Sequence, residues 1–264
     1  FLIASVLMAL WVGFRHESLA VGLRDGKTLA VGSVLMYFLN TVLLLFASRR
    51  VDAGISTVMV SLIPITILLV DSLAARKLCV SWVGIGGIIG GFAGIAVVVV
   101  GSVSGGNADP IGIALLLLAD IVWSVGTVYL KYQSISASVQ VQIFYQSAIP
   151  AILFFFCAVL TGNFDLGKLS WRGALPMAYM GIADSIVGLT SYLYLLRRWK
   201  TSVVSTYAYI NPVVGILLSA LLLSEEITMA KVGGMFLILV SVFVIQREDW
   251  LSGLLTRKVK RIAD

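Results

Sequence analysis

Residues Arg49–Pro64 read RRVDAGISTVMVSLIP, and 148 positions later residues Arg197–Pro212 read RRWKTSVVSTYAYINP. Each stretch opens on paired arginines and closes on a proline set within an apolar run. Carried further, the same offset puts Leu73 on Leu221 and Gly86 on Gly234, while few other residues coincide. The correspondence is therefore one of spacing and hydropathy, and it marks a duplicated module. A module of five membrane spans is odd-numbered, so its second copy must lie inverted, an architecture that secondary transporters use.

Nine apolar stretches carry this pattern, at 1–14, 29–48, 53–75, 82–101, 110–130, 139–160, 173–196, 202–223 and 231–246. The first span of the second copy starts near Pro110, and its equivalent in the first copy would precede residue 1. The opening run Phe1–Phe14 is also short of the roughly 20 residues that a crossing needs. The expectation is an all-α polytopic membrane protein with nine of ten helices present. Residues 1–101 form a first repeat without its opening helix, 110–246 a second repeat, and 247–264 a cytoplasmic tail. A true nine-span protein is the alternative.

Composition excludes a soluble domain. Mean hydropathy is +1.03, 59% of residues are hydrophobic and 12% are charged, against about 25% charged in globular chains. The net charge of +6 suggests nucleic acid until the cations are placed. Fourteen of the nineteen Lys and Arg residues fall on one side of the nine spans, among them Arg24, Lys27, Arg76, Lys77, Arg197 and Lys200. Arg49, Arg50, Lys168, Arg172 and Lys231 fall on the other. Basic short loops stay in the cytoplasm, so the richer side and the C-terminus are cytoplasmic, in a bacterial inner membrane. The basic balance records orientation and needs no nucleic-acid partner. Cys79 and Cys157 lie at a cytoplasmic boundary and within a span, which gives no reason to expect a disulfide.

Two segments point to packing and to the membrane surface. Gly86, Gly90 and Gly94, with Gly87 and Gly91 beside them, have the spacing that lets helix backbones approach closely. The partner helix cannot be named from sequence, nor can the oligomeric state. In the tail, Trp250, Leu251, Leu254, Leu255, Val259 and Ile262 recur at helical spacing, with Arg257, Lys258, Lys260 and Arg261 among them. That pattern fits an interfacial helix on anionic lipid, or equally a frayed polar end.

A carboxylate within a span costs about 3 kcal/mol at mid-helix and usually faces a cavity or a partner. Asp120 and Asp184 occupy such positions. Asp120 shares a helical face with Trp123, Ser124, Thr127 and Lys131, although it could serve only to neutralise Lys131. Gly181, Asp184, Ser185, Gly188, Ser191 and Tyr192 form a second stripe. The offset maps Ser185 and Gly188 onto Tyr37 and Asn40, and Ser205, Tyr209 and Pro212 onto Thr57, Ser61 and Pro64. Pro64 and Pro212 should kink their helices, and Asn211 stands beside Pro212. Together these stripes predict a polar cavity near the midplane, lined by Tyr37, Asn40, Asp120, Trp123, Ser124, Thr127, Asp184, Gly188, Ser191, Tyr192, Tyr209 and Asn211. Two carboxylates and no obvious mid-span cation favour neutral, zwitterionic or cationic solutes. Any single Ser or Thr here could instead bond only its own backbone, and Gln142, Tyr145 and Gln146 are as readily structural as functional.

The run Thr201–Thr228 (TSVVSTYAYINPVVGILLSALLLSEEIT) resembles the ninth span and following loop of EamA-type members of the drug/metabolite transporter superfamily. Leu193–Arg197 (LYLLR) and Trp123–Lys131 (WSVGTVYLK) resemble that family's eighth and sixth spans. The resemblance implies a ten-helix basket that moves small metabolites, often outward, by alternating access through a central cavity. A buried carboxylate would then carry the coupling proton, Asp184 first and Asp120 second. The family's glutamate before the last span falls here on Glu225 or Glu226, whereas the first repeat has Lys77 at the equivalent place. At a span end, Glu225 is thus expected to be a cytoplasm-proximal or loop-closing element rather than a solute ligand, although the cation count places that loop outside. No catalytic residues, cofactor or metal are expected, because the single histidine, His16, lies at an interfacial turn without ligand spacing. A passive channel or a non-transporting sensor on the same fold is the alternative reading.

Overall fold

The computed structural model describes residues 1–76, 82–104, 109–162, 170–183, 191 and 207–246. All regular elements among them are helical. In chain order they are α1 (Leu2–Phe14), α2 (Leu23–Ser33), a π-helical segment (Val34–Leu39), α3 (Asn40–Ala47), α4 (Ala53–Val60), α5 (Ile63–Ala74) and α6 (Trp82–Ser104). They continue with α7 (Pro110–Lys131), α8 (Val139–Leu160), α9 (Trp171–Tyr179), α10 (Tyr207–Leu223) and α11 (Met229–Gln246). Five stretches, 23–47, 53–74, 82–102, 110–131 and 139–160, are long and apolar enough to cross a bilayer, and four shorter apolar helices accompany them. An α-helix keeps its backbone polar groups satisfied within one segment in hydrocarbon, and the many exposed large apolar side chains, such as Leu118, Phe156, Leu221 and Phe236, suit lipid contact. The chain is an all-α polytopic membrane protein.

Helix ends differ from the hydropathy boundaries where charge interrupts an apolar run. The span expected at 29–48 begins six residues earlier, because Leu23–Thr28 is already helical, with Asp25 in its first turn. Arg24 and Lys27 depress hydropathy without opposing helix formation. Ser138 and Ser170 cap α8 and α9, each hydroxyl oxygen accepting the N–H three residues on, from Val141 and Gly173.

The span expected at 53–75 is not one kinked helix; it is two. Pro64 lacks an N–H, so the Val60 carbonyl cannot receive the bond a continuous helix would give it. The helix closes instead through Ser61 N–H to the Val58 carbonyl (3.1 Å) and Leu62 N–H to that of Met59 (3.0 Å). It restarts with Thr66 N–H donating to Leu62 (3.0 Å). Pro212 lies inside the single helix α10.

The chain divides into two compact units, one of residues 1–41 and 125–204, the other of 42–124 and 205–264. In the first, α1 packs antiparallel on α8. Phe1 stacks on Phe154 at one end (6.0 Å), and Ser138 donates to Glu17 at the other (2.7 Å). Gly32 admits Leu130, since a Cβ there would lie 2.7 Å from its Cδ2.

In the second unit, α6 and α11 form an antiparallel seam. Gly87 meets Ile245, Gly94 meets Ile238, and Gly101 meets Ala230. A Cβ on Gly94 would stand 2.9 Å from the Gly234 carbonyl oxygen. The glycine stripe therefore packs within the chain, against its own last span. The same unit pairs α4 with α10 antiparallel, Gly54 against Ser219 and Gly215 against Thr57. Its core gathers Ile55, Val58, Met59, Leu62, Ile65, Val98, Leu116, Ile216, Ile238 and Val242.

Two further correspondences follow the 148-residue offset. Arg76 and Ser224 both end their helices in the left-handed region, at φ 51° and 58°. The π-helical segment 34–39 maps to 182–187, and α9 continues as π-helix over 180–183, so the two coincide at 182–183 among the described residues.

Candidate functional site

On α7, Asp120 is 2% exposed, and its Oδ2 has no hydrogen-bond partner among the described residues. One turn on, the buried Ser124 hydroxyl donates to the Asp120 carbonyl (2.7 Å) and lies 2.6 Å from Thr66 Oγ1 on α5. Each hydroxyl has one proton. Thr66 also lies 3.0 Å from the Ile63 carbonyl, so the two hydroxyl protons are shared among three acceptors, two backbone carbonyls and the partner hydroxyl. Asp120 Oδ2 thus stands beside a hydroxyl pair and takes no bond from it, although the residue's backbone carbonyl does. Trp123 and Thr127 are half-buried on the same helix.

In the other unit, the π-helical segment carries Tyr37, whose hydroxyl donates to Gln146 Oε1 on α8 (3.2 Å), with Phe1 edge-on to its ring. Asn40 is buried where the α-helix resumes. π-Helical turns are uncommon and are often found at functional sites. Hydropathy is blind to them.

The other expected cavity residues are less closely defined. Ser191 is helical and exposed, and Asn211 is exposed next to the buried Pro212. Tyr209 lies in α10, although its side chain is outside the described residues. Asp184, Gly188 and Tyr192 lie outside them altogether, as does the amphipathic tail 247–264.

A second polar constellation is one that sequence reasoning missed. Lys231, counted above as an external loop charge, is 1% exposed. Its Nζ donates to Asp52 Oδ2 and to the Glu226 carbonyl, both at 2.9 Å, and stands 3.8 Å from Glu225 Oε2. Glu225 accepts from Ala53 N–H at Oε1 (2.6 Å) and from Gly54 N–H at Oε2 (2.9 Å). These are the first free donors of α4, where the positive end of the helix dipole favours an anion. Asp52 is the N-cap of α4 but makes no side-chain cap bond, having turned to Lys231 instead. Glu225 is thus a loop-closing residue, as its position before the last span suggested. The available signal was a lone lysine opening an apolar span.

Comparison with known proteins follows this geometry. Residues 110–247 match the EamA-like transporter family. The chain is 28% identical over 233 residues to the uncharacterized inner membrane transporter YedA of Escherichia coli (strain K12), covering 86% of this chain and 73% of that one. It is 28% identical over 159 residues to a protein of the same strain named "Probable amino-acid metabolite efflux pump", covering 57% and 53%. A solved crystal structure of a protein superposes with a TM-score of 0.61 at 18% identity, over 97% of this chain and 85% of that one. That last likeness concerns the fold alone.

Proposed function

The chain belongs to the EamA-like transporter family, and from that premise we propose that it is a secondary active exporter of small metabolites working by alternating access. It is a membrane transporter, not an enzyme, and its partner is a small-molecule solute. Amino acids and related neutral or cationic solutes are the proposed class. A relative named as an amino-acid metabolite efflux pump supports this, as does the acidic character of the mid-span polar residues. The inner membrane is the proposed location, in line with YedA, with the C-terminus in the cytoplasm by the cation distribution.

The observation that carries the reading is Asp120. A carboxyl 2% exposed, in mid-span, with an oxygen lacking any partner among the described residues is an expensive feature for a helix to keep. A proton that comes and goes gives it a use: the carboxyl is neutral while enclosed and ionises when water reaches it. Asp120 is therefore proposed as a proton carrier together with Asp184, and Tyr37, Asn40, Trp123, Ser124, Thr127, Gly188, Ser191, Tyr192, Tyr209 and Asn211 as solute contacts. Two inverted repeats are the proposed plan, at 1–101 and 110–246. The antiparallel seam of α6 with α11 supports it, as do Arg76 and Ser224 at equivalent helix ends. Both elements of each pair stand at the same place in their repeats.

The test is flux in reconstituted vesicles driven by a pH gradient, screened with amino acids, nucleosides and organic cations. Saturation and counterflow of labelled solute are expected from a carrier. Full pH-driven flux in both Asp120→Asn and Asp184→Asn would refute the proton assignment. Flux without saturation or counterflow would favour a channel.

A further inference from the structure

We propose that Glu225, Lys231 and Asp52 form an ionic latch. It shuts the α4–α10 seam at the end that the cation distribution places outside the cell, and its release is a step of the transport cycle. The inference rests on the alternating-access reading. None of its residues is among the solute contacts proposed above, and nothing in that reading requires them.

Three observations carry it. The first is the exchange of caps. Asp52 leaves the N-terminus of its own helix to hold Lys231, and Glu225 reaches back from beyond α10 to take both vacated donors, Ala53 and Gly54 N–H. The loop before α11 and the start of α11 are thereby tied to the start of α4 through three hydrogen bonds, each involving a charged group, and a fourth holds Lys231 to the loop's own Glu226 carbonyl. The second is the seam beneath. Gly54 faces Ser219 and Gly215 faces Thr57 without room for a side chain, so the two helices touch at this end. Past the break at Ser61–Leu62, α5 packs on α11 instead. The third is solvation. Asp52 keeps 29% of its side-chain surface, so the cluster borders water and its charges can be rehydrated on parting. A wholly enclosed trio would be too costly to separate within a working cycle.

Sequence adds that this device belongs to one end. Under the 148-residue offset Glu225 corresponds to Lys77, Asp52 to Lys200 and Lys231 to Val83. Two like charges and an apolar residue cannot build the same trio. The two ends of the protein are thus closed by different means, and charge substitutions at 52, 225 or 231 should bias the conformational equilibrium in one direction only. Lys231 acts as a positioning residue, holding Asp52 and the loop carbonyl of Glu226 so that Glu225 meets α4.

The experiment reads the seam without any solute, so a failed transport assay and a failed latch are separate results. In the full-length protein with Cys79 and Cys157 replaced by serine, Ser219→Cys is labelled in intact cells with a membrane-impermeant maleimide. Ser219 is 6% exposed, so labelling of the parent should be slow. Glu225→Gln should speed it about tenfold, the scale of a shifted two-state population, and Glu225→Asp, which cannot span both N–H groups, should fall between. Thermal unfolding of each variant guards against misfolding. A structural brace would lower thermal stability in Glu225→Gln yet leave the labelling rate at the parent's value, and that result overturns the latch. Faster labelling confined to inverted vesicles overturns the side assigned to it.

Discussion

Glu225 and Asp120 are carboxylates of one unit, both withdrawn from water, and the fold treats them in opposite ways. Glu225 has two backbone N–H donors and a lysine 3.8 Å away. Asp120 has an oxygen that meets no donor among the described residues, although a hydroxyl lies one turn along its own helix. Burial alone therefore says little about what a charge is for. A saturated carboxylate holds elements together, whereas an unsaturated one is kept at a cost that folding does not recover. The difference matches the roles proposed above, conformational for Glu225 and proton-carrying for Asp120, and it can be broken from either side.

The largest effect should come from the lysine that completes the Glu225 group. Lys231→Ala leaves Asp52 and Glu225 facing one another near the membrane boundary, and loss of one partner of a buried pair costs about 3–5 kcal/mol. Thermal unfolding in detergent should show it as a large fall in midpoint. Next comes the glycine seam that holds the same helix, α11. Gly94→Val forces a side chain toward the Gly234 carbonyl, 2.9 Å from the new Cβ, and overpacking of that kind costs about 1–3 kcal/mol. Gly86 has nothing within 4 Å of a Cβ, so Gly86→Val should stay within about 0.5 kcal/mol of the parent. Should Gly94→Val prove worse than Lys231→Ala, α11 would be held by its seam rather than by its charge, and the stabilising half of the comparison would fail.

Asp120→Asn probes the other half. The substitution removes an ionisable proton site and keeps the shape of the neutral carboxyl, so stability should change by less than about 1 kcal/mol, while pH-gradient-driven flux should be lost. A clearly destabilised variant would mean that the carboxylate is structurally engaged after all, and the contrast with Glu225 would dissolve.

How much of this was legible in the sequence depends on what hydropathy can register. It located five stretches that are long and apolar enough to cross, since apolar length is what a bilayer selects, and the glycine period announced a close helix pair that proved to be α6 with α11. Backbone breaks escaped it. Pro64 signalled a disturbance, but a proline does not reveal whether a helix bends or stops, and here Ser61 and Leu62 form a turn between α4 and α5. The π-helical segment at 34–39 escaped entirely, because Val-Leu-Met-Tyr-Phe-Leu is as apolar as any regular turn. Lys231 was misread for a different reason. A lysine at the edge of an apolar run is ordinarily solvated, and only the approach of Asp52, 179 positions away in the chain, makes its burial tolerable. Tyr37 was expected at a polar site, yet its bond to Gln146 spans 109 positions that no local pattern connects.

The smallest expected effect concerns a carboxylate that is neither buried nor orphaned. Asp109 is the N-cap of α7, with Pro110 at the first helical position, an arrangement suited to a helix start. Its Oδ1 accepts the Ile111 N–H (2.9 Å), and its Oδ2 pairs with the Arg50 guanidinium. The Ile111 bond, then Arg50, holds its carboxyl below the usual carboxylate range. A depressed folded-state value means stability that is present above the unfolded-state pKa and lost as pH falls through the folded one. Asp109→Asn keeps an oxygen for Ile111 and gives up only the charge, so near neutral pH its melting temperature should sit slightly below the parent's. As the pH drops below the ordinary carboxylate range the two curves should converge, since the parent then protonates and loses the same interaction. Curves that stay parallel down to the acid limit would show that Arg50 contributes nothing measurable, as is common for exposed pairs. The useful scale of carboxylates in this protein would then run only between Glu225 and Asp120.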